Sequence, residues 1–212
     1  MLVDKLISTF DTGLRTVLAS AHPSRSRPDA NIDESDSSDS NLTDEQKNLA
    51  IALMRINHLG EVCAQALYSG QAFTSQSPEI VNALKQAATE ETDHLSWCET
   101  RIHELGGRKS ILSPVMYTCS FTLGAFAGAI GDEWNLGFLA ETENQVGAHL
   151  GSHLEKLSPQ DTKTRAIVAQ MHQDETAHAQ EAMRLGAAEL PEPIKVGMKF
   201  ASKIMTTTAY YI

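Results

Sequence analysis

The strongest constraint on the fold is the spacing of capping and turn residues, which divides the chain from Thr43 onward into helix-length pieces. Thr43 to Gln46 has the form of a capping box. Three Ser-Pro pairs each place a capping oxygen before a proline suited to a first helical turn: Ser77-Pro78, Ser113-Pro114 and Ser158-Pro159. Nowhere does an apolar residue alternate with a polar one for long enough to indicate a strand. We therefore predict an all-α fold with helices over 44–74, 78–105, 114–130, 133–157, 159–187 and 193–209.

Two segments precede this helical region. Residues 1–21 repeat Leu, Ile, Val and Phe at helical spacing, which predicts an amphipathic N-terminal helix. Residues 22–42 are rich in Ser, Asp and Pro and offer little apolar surface to bury, so we expect an acidic, disordered linker. The main domain is then expected to span 43–212.

Composition excludes several classes of protein. The chain contains 17 Lys and Arg and 27 Asp and Glu, which gives a net charge of −10. Such an acidic surface repels nucleic-acid phosphates. The three cysteines are far apart and form no Cys-x-x-Cys pair, which favours reduced thiols in the cytosol over disulfides or a zinc knuckle. The N-terminus lacks a clean apolar core before a small-residue cleavage site, so we expect no secretory signal.

Two short segments of the helical region resemble each other. Glu90-Glu91-Thr-Asp-His94 and Asp174-Glu175-Thr-Ala-His178 both contain Glu-x-x-His on a predicted helix. Side chains at i and i+3 share a helix face, so each segment can offer a carboxylate and an imidazole to one metal ion. Either segment alone is weak support for a metal site.

The turns strengthen the case for metal binding. If the predicted helices 44–74 and 78–105 form an antiparallel hairpin about residue 76, Glu61 lies level with Glu91. If the predicted helices 133–157 and 159–187 form a second hairpin about residue 159, Glu143 lies level with Glu175. Two such hairpins packed together form a dinuclear carboxylate site of the four-helix-bundle type. The predicted ligands are Glu61, Glu91, His94, Glu143, Glu175 and His178. Glu91 and Glu175 are the natural bridges, and mixed oxygen and nitrogen ligands suit iron or manganese better than a closed zinc site.

Other residues near these positions have open roles. The alternative for all six ligands is that they are surface charges on amphipathic helices. Tyr68 shares a helix face with Glu61, so it either packs in the core or acts beside the metals as a gate or proton donor. His149 and His58 are predicted to support the site through hydrogen bonds or to lie at the surface, rather than to bind metal.

Two apolar stretches raise the question of a membrane. Residues 110–131 contain no charged residue, and 22 residues could span a bilayer. A span would, however, separate the two hairpins and their ligands, so we expect this helix to pack on the bundle, either presenting an apolar surface to lipid or lying buried. Lys195, Lys199 and Lys203 recur beside apolar residues and the terminal tyrosines, which suits an anionic membrane surface.

These residues together resemble a known family. Arg55-Ile-Asn-His58-Leu-Gly-Glu61, the two Glu-x-x-His segments, Glu143 and the uncharged stretch are similar to the demethoxyubiquinol hydroxylases of ubiquinone biosynthesis. The resemblance covers about residues 43–212, and the segment 1–42 does not contribute to it. His149 matches a family position near the site, whereas Leu150 stands where some members have Tyr.

The resemblance implies a specific enzyme. It implies a ferritin-like four-helix bundle with a long apolar crossover helix and an additional C-terminal helix. It also implies a diiron monooxygenase that uses dioxygen as co-substrate and hydroxylates the ring of a polyprenylated demethoxyubiquinol. The two metals are then expected to be Fe rather than Mn, and the protein is expected to be peripheral, on the cytoplasmic face of the cell membrane.

Alternatives are kept beside this interpretation. A radical-generating or desaturating diiron protein needs a Tyr or Trp near the metals, for which Tyr68 is the only candidate raised by the sequence. An iron-storage or ferroxidase cage would need polar outer faces, and a membrane-docking bundle without metal would make the six ligands accidental. The sequence does not identify the electron donor, the tail length, or whether the chain forms a homo-oligomer or joins a biosynthetic complex.

Overall fold

The computed structural model describes residues 2–32 and 39–212, and all its regular elements are helical. A short 3-10 helix, Asp39–Asn41, precedes the main domain. The α-helices are α1 (Leu2–Leu18), α2 (Asp44–Thr74), α3 (Pro78–Glu104), α4 (Ser113–Ile130), α5 (Asp132–Lys156), α6 (Thr162–Arg184) and α7 (Glu192–Tyr211). No strand occurs among the described residues, so the predicted all-α class is confirmed.

Four helices form the bundle. The α2/α3 and α5/α6 pairs are two hairpins, which meet through contacts of α2 with α5 and of α3 with α6. Their interior contains two apolar layers, one around Met54, Trp97 and Met171, the other around Leu67 and Leu84. On every helix of the bundle, the predicted glutamate ligand lies between the residues of these two layers. The candidate ligands are therefore enclosed above and below by packed hydrocarbon.

The crossover helix α4 lies directly against α2. Backbone approaches backbone at three glycines, so that a Cβ added at Gly124 would lie 2.9 Å from Leu67 Cα, and one at Gly70 would lie 2.6 Å from Ala125 N. Gly128 is similarly close to Gln71 of α2. The small residues that weaken the hydropathy of this stretch are thus the residues that bring α4 onto the bundle.

Helices α1, α4 and α7 retain large exposed apolar side chains. Leu123 and Phe126 on α4 are 53% and 68% exposed, and Phe10 of α1 and Phe200 of α7 are similarly open. Within the part of the chain that the structure describes, no helix is both long and apolar enough to cross a bilayer. The expectation that α4 packs on the bundle rather than spanning a membrane agrees with this finding.

Helix starts match the sequence prediction at two of four caps. Thr43 forms the complete capping box with Gln46, and the Ser77 hydroxyl accepts a hydrogen bond from Ile80 N. The other two predictions are wrong. Ser113 lies inside α4 and donates its hydroxyl to Ser110 O at 3.1 Å.

The start of α6 is also later than predicted. The helix begins at Thr162 instead of residue 159, because Asp161 accepts a hydrogen bond from Thr164 N at 3.1 Å and is the actual cap. The Ser158 hydroxyl instead accepts a hydrogen bond from the side chain of Gln46, at 3.1 Å. Asp161 rather than Ser158 caps α6, since Asp161 is also held in place by an ion pair with the buried Arg101.

The stretch expected to be a linker, 22–42, is only partly described. Residues 33–38 lie outside the described residues. The flanking parts lie on the bundle: Arg27 pairs with Asp29 and with Glu104 of α3, and Asp39 pairs with the fully buried Arg101. The disordered linker stays a prediction for the stretch as a whole, while ion pairs, which need little apolar surface, hold its described flanks.

Candidate metal centre

Six side chains from the four bundle helices converge on one buried point. Glu61 comes from α2, Glu91 and His94 from α3, Glu143 from α5, and Glu175 and His178 from α6; these are the six predicted ligands. The four glutamates and His94 are at most 2% exposed, while His178 keeps 11% of its side chain exposed. The structure therefore brings together every residue that the hairpin symmetry placed level.

The six residues form two overlapping groups. Glu61, Glu91, His94 and Glu175 each offer an atom within 4.8 Å of the others, and so do Glu91, Glu143, Glu175 and His178. Two residues, Glu91 and Glu175, belong to both groups. We call the first group the His94 position and the second the His178 position. Carboxylates shared by two adjacent positions have the arrangement that bridging ligands need.

Both imidazoles are fixed by a carboxylate from the opposite hairpin. His94 Nε2 lies 2.8 Å from an Asp174 oxygen, and His178 Nε2 lies 3.0 Å from a Glu90 oxygen. In both cases Nδ1 faces the cluster, with His94 Nδ1 lying 3.0 Å from Glu91 Oε2. A carboxylate behind a ligating imidazole sets the ring orientation and raises its basicity.

The electrostatics of the cluster divide the four acids into two kinds. Burial, together with repulsion from Glu91, raises the pKa of Glu61 well above its usual range, and burial with repulsion from Glu175 does the same for Glu143. Burial also acts to raise the pKa of Glu91 and Glu175, but close contacts with His178 and His94 help to outweigh it and lower both. The surroundings therefore favour the charged form for the two shared carboxylates and the protonated form for the other two.

The imidazoles carry the balancing charge. Burial acts to lower the pKa of both histidines, yet close contacts with surrounding carboxylates outweigh it. These contacts raise the pKa of His94 well above its ordinary value and that of His178 to about 12. Two imidazolium groups thus stand opposite two carboxylates in the buried cluster.

A pair of divalent metal ions fits the buried polar atoms of the cluster that have no hydrogen-bond partner. Buried oxygens of Glu91, Glu143 and Glu175, and Nδ1 of His178, have no hydrogen-bond partner within the described protein. Buried polar atoms are normally paired, so four such atoms around one point form a site that suits a ligand of positive charge. The residues present therefore fit a metal centre made of carboxylates and imidazoles.

Tyr68 belongs to this site. Its buried hydroxyl donates a hydrogen bond to Glu143 Oε1, linking α2 to α5. Core packing alone therefore does not describe Tyr68, because its phenol contacts a candidate ligand. The hydroxyl can hold a proton beside the Glu143 carboxylate.

The two further histidines considered in the sequence, His149 and His58, are not part of the cluster. His149 stacks edge-on against His153, with ring centroids 4.0 Å apart, in a groove between α5 and α7. Burial lowers the pKa of His149 to about 4. His58 is also buried, and burial lowers its pKa to about 4. Neither imidazole is in either group of candidate ligands.

Several residues at the site were missed by sequence reasoning. Asp174 and Glu90 hold the imidazoles, and their signal was present: each immediately precedes the glutamate of a Glu-x-x-His motif. Trp97, whose ring lies 5.4 Å from that of His94, is one helical turn further along α3. Arg25, which contacts Asp174, gave no signal because it lies in the segment expected to be disordered.

The fold and the site define a class: helical bundles of the ferritin-like type, with two Glu-x-x-His motifs and two further glutamates in a buried core. The family described as Ubiquinone biosynthesis protein COQ7 matches residues 48–209. A 3-demethoxyubiquinol 3-hydroxylase from Chromobacterium violaceum is 55% identical over 211 residues, covering 100% of both chains. Enzymes of the same name from Nitrosomonas europaea and Dechloromonas aromatica are 56% and 54% identical over 210 residues, covering 99% of each chain. The chain belongs to the COQ7 family.

Proposed function

We propose that this chain is a 3-demethoxyubiquinol 3-hydroxylase: a diiron monooxygenase that adds a hydroxyl group to the ring of a polyprenylated demethoxyubiquinol. The observation that carries the proposal is the buried cluster of four glutamates and two histidines, in a chain more than half identical to enzymes of that name. This supports the hydroxylase over the iron-storage and radical-generating alternatives.

The ligand set supports iron. Carboxylates and imidazoles with open positions suit iron or manganese, whereas a structural zinc site is closed and tetrahedral. No side chain at the site can insert oxygen into a ring C–H bond by acid–base chemistry. Two bound iron ions would supply that reactivity by activating dioxygen.

The chain's own residues prepare the site for that chemistry. Glu91 and Glu175 would bridge the ions, and Glu61 and Glu143 would each bind one of them. Asp174 and Glu90 hold the imidazoles with Nδ1 directed inward. Tyr68 keeps a proton within reach of Glu143, and the apolar layers on both sides exclude water from the reacting atoms.

A lipid-soluble substrate explains the exposed apolar helices. A polyprenyl quinol partitions into the bilayer, and the open face of α4, with Leu123 and Phe126, offers a surface at which its tail could lie. Helix α7 adds Phe200 and nearby lysines, although Lys195 is engaged with Glu189 and Glu192. The proposal therefore places the protein peripherally on the cytoplasmic face of the cell membrane.

The deciding experiment combines metal analysis with product detection. Purified protein should contain two irons per chain, and after anaerobic reduction it should convert demethoxyubiquinol in the presence of oxygen to a product one oxygen atom heavier, detected by mass spectrometry. Glu175→Gln should lose metal and activity while staying helical. The matched control is Glu181→Gln, an exposed acid on the same helix, which should retain both. Full activity in Glu175→Gln would refute the assigned site.

The role of α4 has its own test. Phe126→Asp should reduce activity on a long-tail substrate far more than on a short-tail analogue, because only the long tail needs the apolar face. Met183→Asp on α6 replaces another exposed apolar residue, 56% exposed, and should affect neither substrate selectively. Equal losses on both substrates in Phe126→Asp would rule out α4 as the access route.

A further inference from the structure

The segment before the bundle places two residues against the outer side of the metal centre. Ser24 donates its backbone N–H to Asp93 Oδ1 at 2.5 Å, and the Arg25 Nε lies 2.7 Å from Asp93 Oδ2. Arg25 also stacks over Trp97, with its guanidinium carbon 5.0 Å from the ring centroid. Since Asp93 and Trp97 flank His94 on α3, the guanidinium lies directly behind that histidine.

The same guanidinium reaches the opposite hairpin. Arg25 Nη2 lies 2.9 Å from Asp174 Oδ2, the oxygen atom that also accepts from His94 Nε2 at 2.8 Å. Arg25 therefore joins α3 to α6 by binding one carboxylate on each. A forked guanidinium can hold two carboxylates in fixed directions, which a lysine, as a point charge, cannot.

The second half of the site lacks this support. Glu90 holds His178 in the equivalent way, but no Arg or Lys of the described residues forms an ion pair with Glu90. Glu90 is also more open, at 29% exposure of its side chain against 12% for Asp174. The two imidazole-holding carboxylates are thus alike in geometry and unlike in what fixes them.

We propose that Arg25 is a positioning residue for the His94 position. It fixes Asp174, which in turn keeps His94 Nδ1 directed at Glu91 and Glu175. The inference rests on the metal centre of the proposed function and adds to it a residue outside the family-matched range, 48–209. Loss of such outer support typically weakens metal binding 10–100-fold, so removal of Arg25 should weaken one of the two binding steps by about tenfold or more.

The test is an anaerobic titration of the metal-free full chain with cobalt(II), followed by its d–d absorption and fitted to two binding steps. Arg25→Ala should weaken one step and leave the other near wild type. Arg25→Lys keeps the charge but cannot span both carboxylates, so it should weaken the same step. The control is Arg27→Ala, which removes the other anchor of this segment, to Glu104, without touching Asp174. It should bind cobalt as the wild type does.

Thermal midpoints of the metal-free variants separate positioning from folding. If Arg25→Ala does not fold, Arg25→Lys decides the question. If Arg25→Lys binds cobalt with wild-type affinity in both steps, the role of Arg25 is refuted. The same holds if Arg25→Ala and Arg27→Ala lose cobalt affinity equally. Neither result would contradict the proposed function. A wild-type chain that binds no cobalt at the cluster would overturn both.

Discussion

Metal binding at this cluster should release a defined number of protons. In the metal-free protein, burial raises the pKa of Glu61 and Glu143 well above the usual range, which favours the protonated form of each. Contacts with carboxylates outweigh burial and raise the pKa of both histidines, that of His178 to about 12, which favours the charged form of each. The buried cluster is then neutral, with two carboxylates facing two imidazoliums.

With two metal ions bound, the cluster would again be neutral, but the ions rather than protons would balance the carboxylates. Two divalent ions balance four carboxylates, and metal-binding imidazoles are uncharged at Nδ1. The exchange therefore removes one proton from each of Glu61, Glu143, His94 and His178, or about four protons for two ions. Because about two protons leave per ion, the apparent affinity for each ion should rise about 100-fold per pH unit around neutrality.

Calorimetry can count these protons directly. The metal-free protein is titrated anaerobically with ferrous ion or cobalt(II) in two buffers of different ionisation enthalpy, and the difference in heat gives the protons released. Glu181→Gln, which changes an exposed acid of α6, should release as many as the wild type. A release of about one proton or fewer would show that the metals do not displace this protonation pattern, and the reasoning would be wrong.

Three further changes separate packing from electrostatics. Gly124→Val places side-chain carbon against Leu67 of α2, so denaturant unfolding should show a loss of about 1–3 kcal/mol. Arg101→Ala leaves the carboxylate of Asp161 buried without its cation, which should cost about 3–5 kcal/mol and lower the thermal midpoint. In the metal-free protein, the raised pKa of His178 means that the folded state keeps a proton that the unfolded state loses above about pH 6.5. This stabilisation is complete below that pH and falls as pH rises, on the order of 1 kcal/mol per pH unit, so chelated protein should unfold more easily at pH 9 than at pH 7.

The sequence predicted the helices closely because local signals determine them. Five of the six helices predicted from Thr43 onward begin within a residue of the observed start. The four glutamates that the hairpin symmetry placed level meet at one point, together with the histidines of the two Glu-x-x-His segments. The exception was the start of α6. There Asp161 caps the helix and pairs with Arg101, a contact across 60 positions that no local pattern reveals.

The outer part of the site was harder to predict for the same reason. His94 and Asp174 are 80 positions apart, and their hydrogen bond exists only once the hairpins pack. Arg25 lies in a stretch whose composition indicates disorder, since ion pairs leave no hydrophobic pattern. Sequence periodicity thus identifies the inward-facing residues, whereas the partners behind them depend on the tertiary structure.

Each imidazole is held by an acid from the other hairpin, and this has a consequence for the order of folding and metal binding. Asp174 serves the histidine of α3, and Glu90 serves the histidine of α6, so neither hairpin contains a finished metal position by itself. A nascent or partly unfolded chain offers only fragments of a coordination sphere, which hold metal weakly. We therefore expect metal to bind only after the two hairpins have packed, when the surrounding hydrocarbon already shields the site.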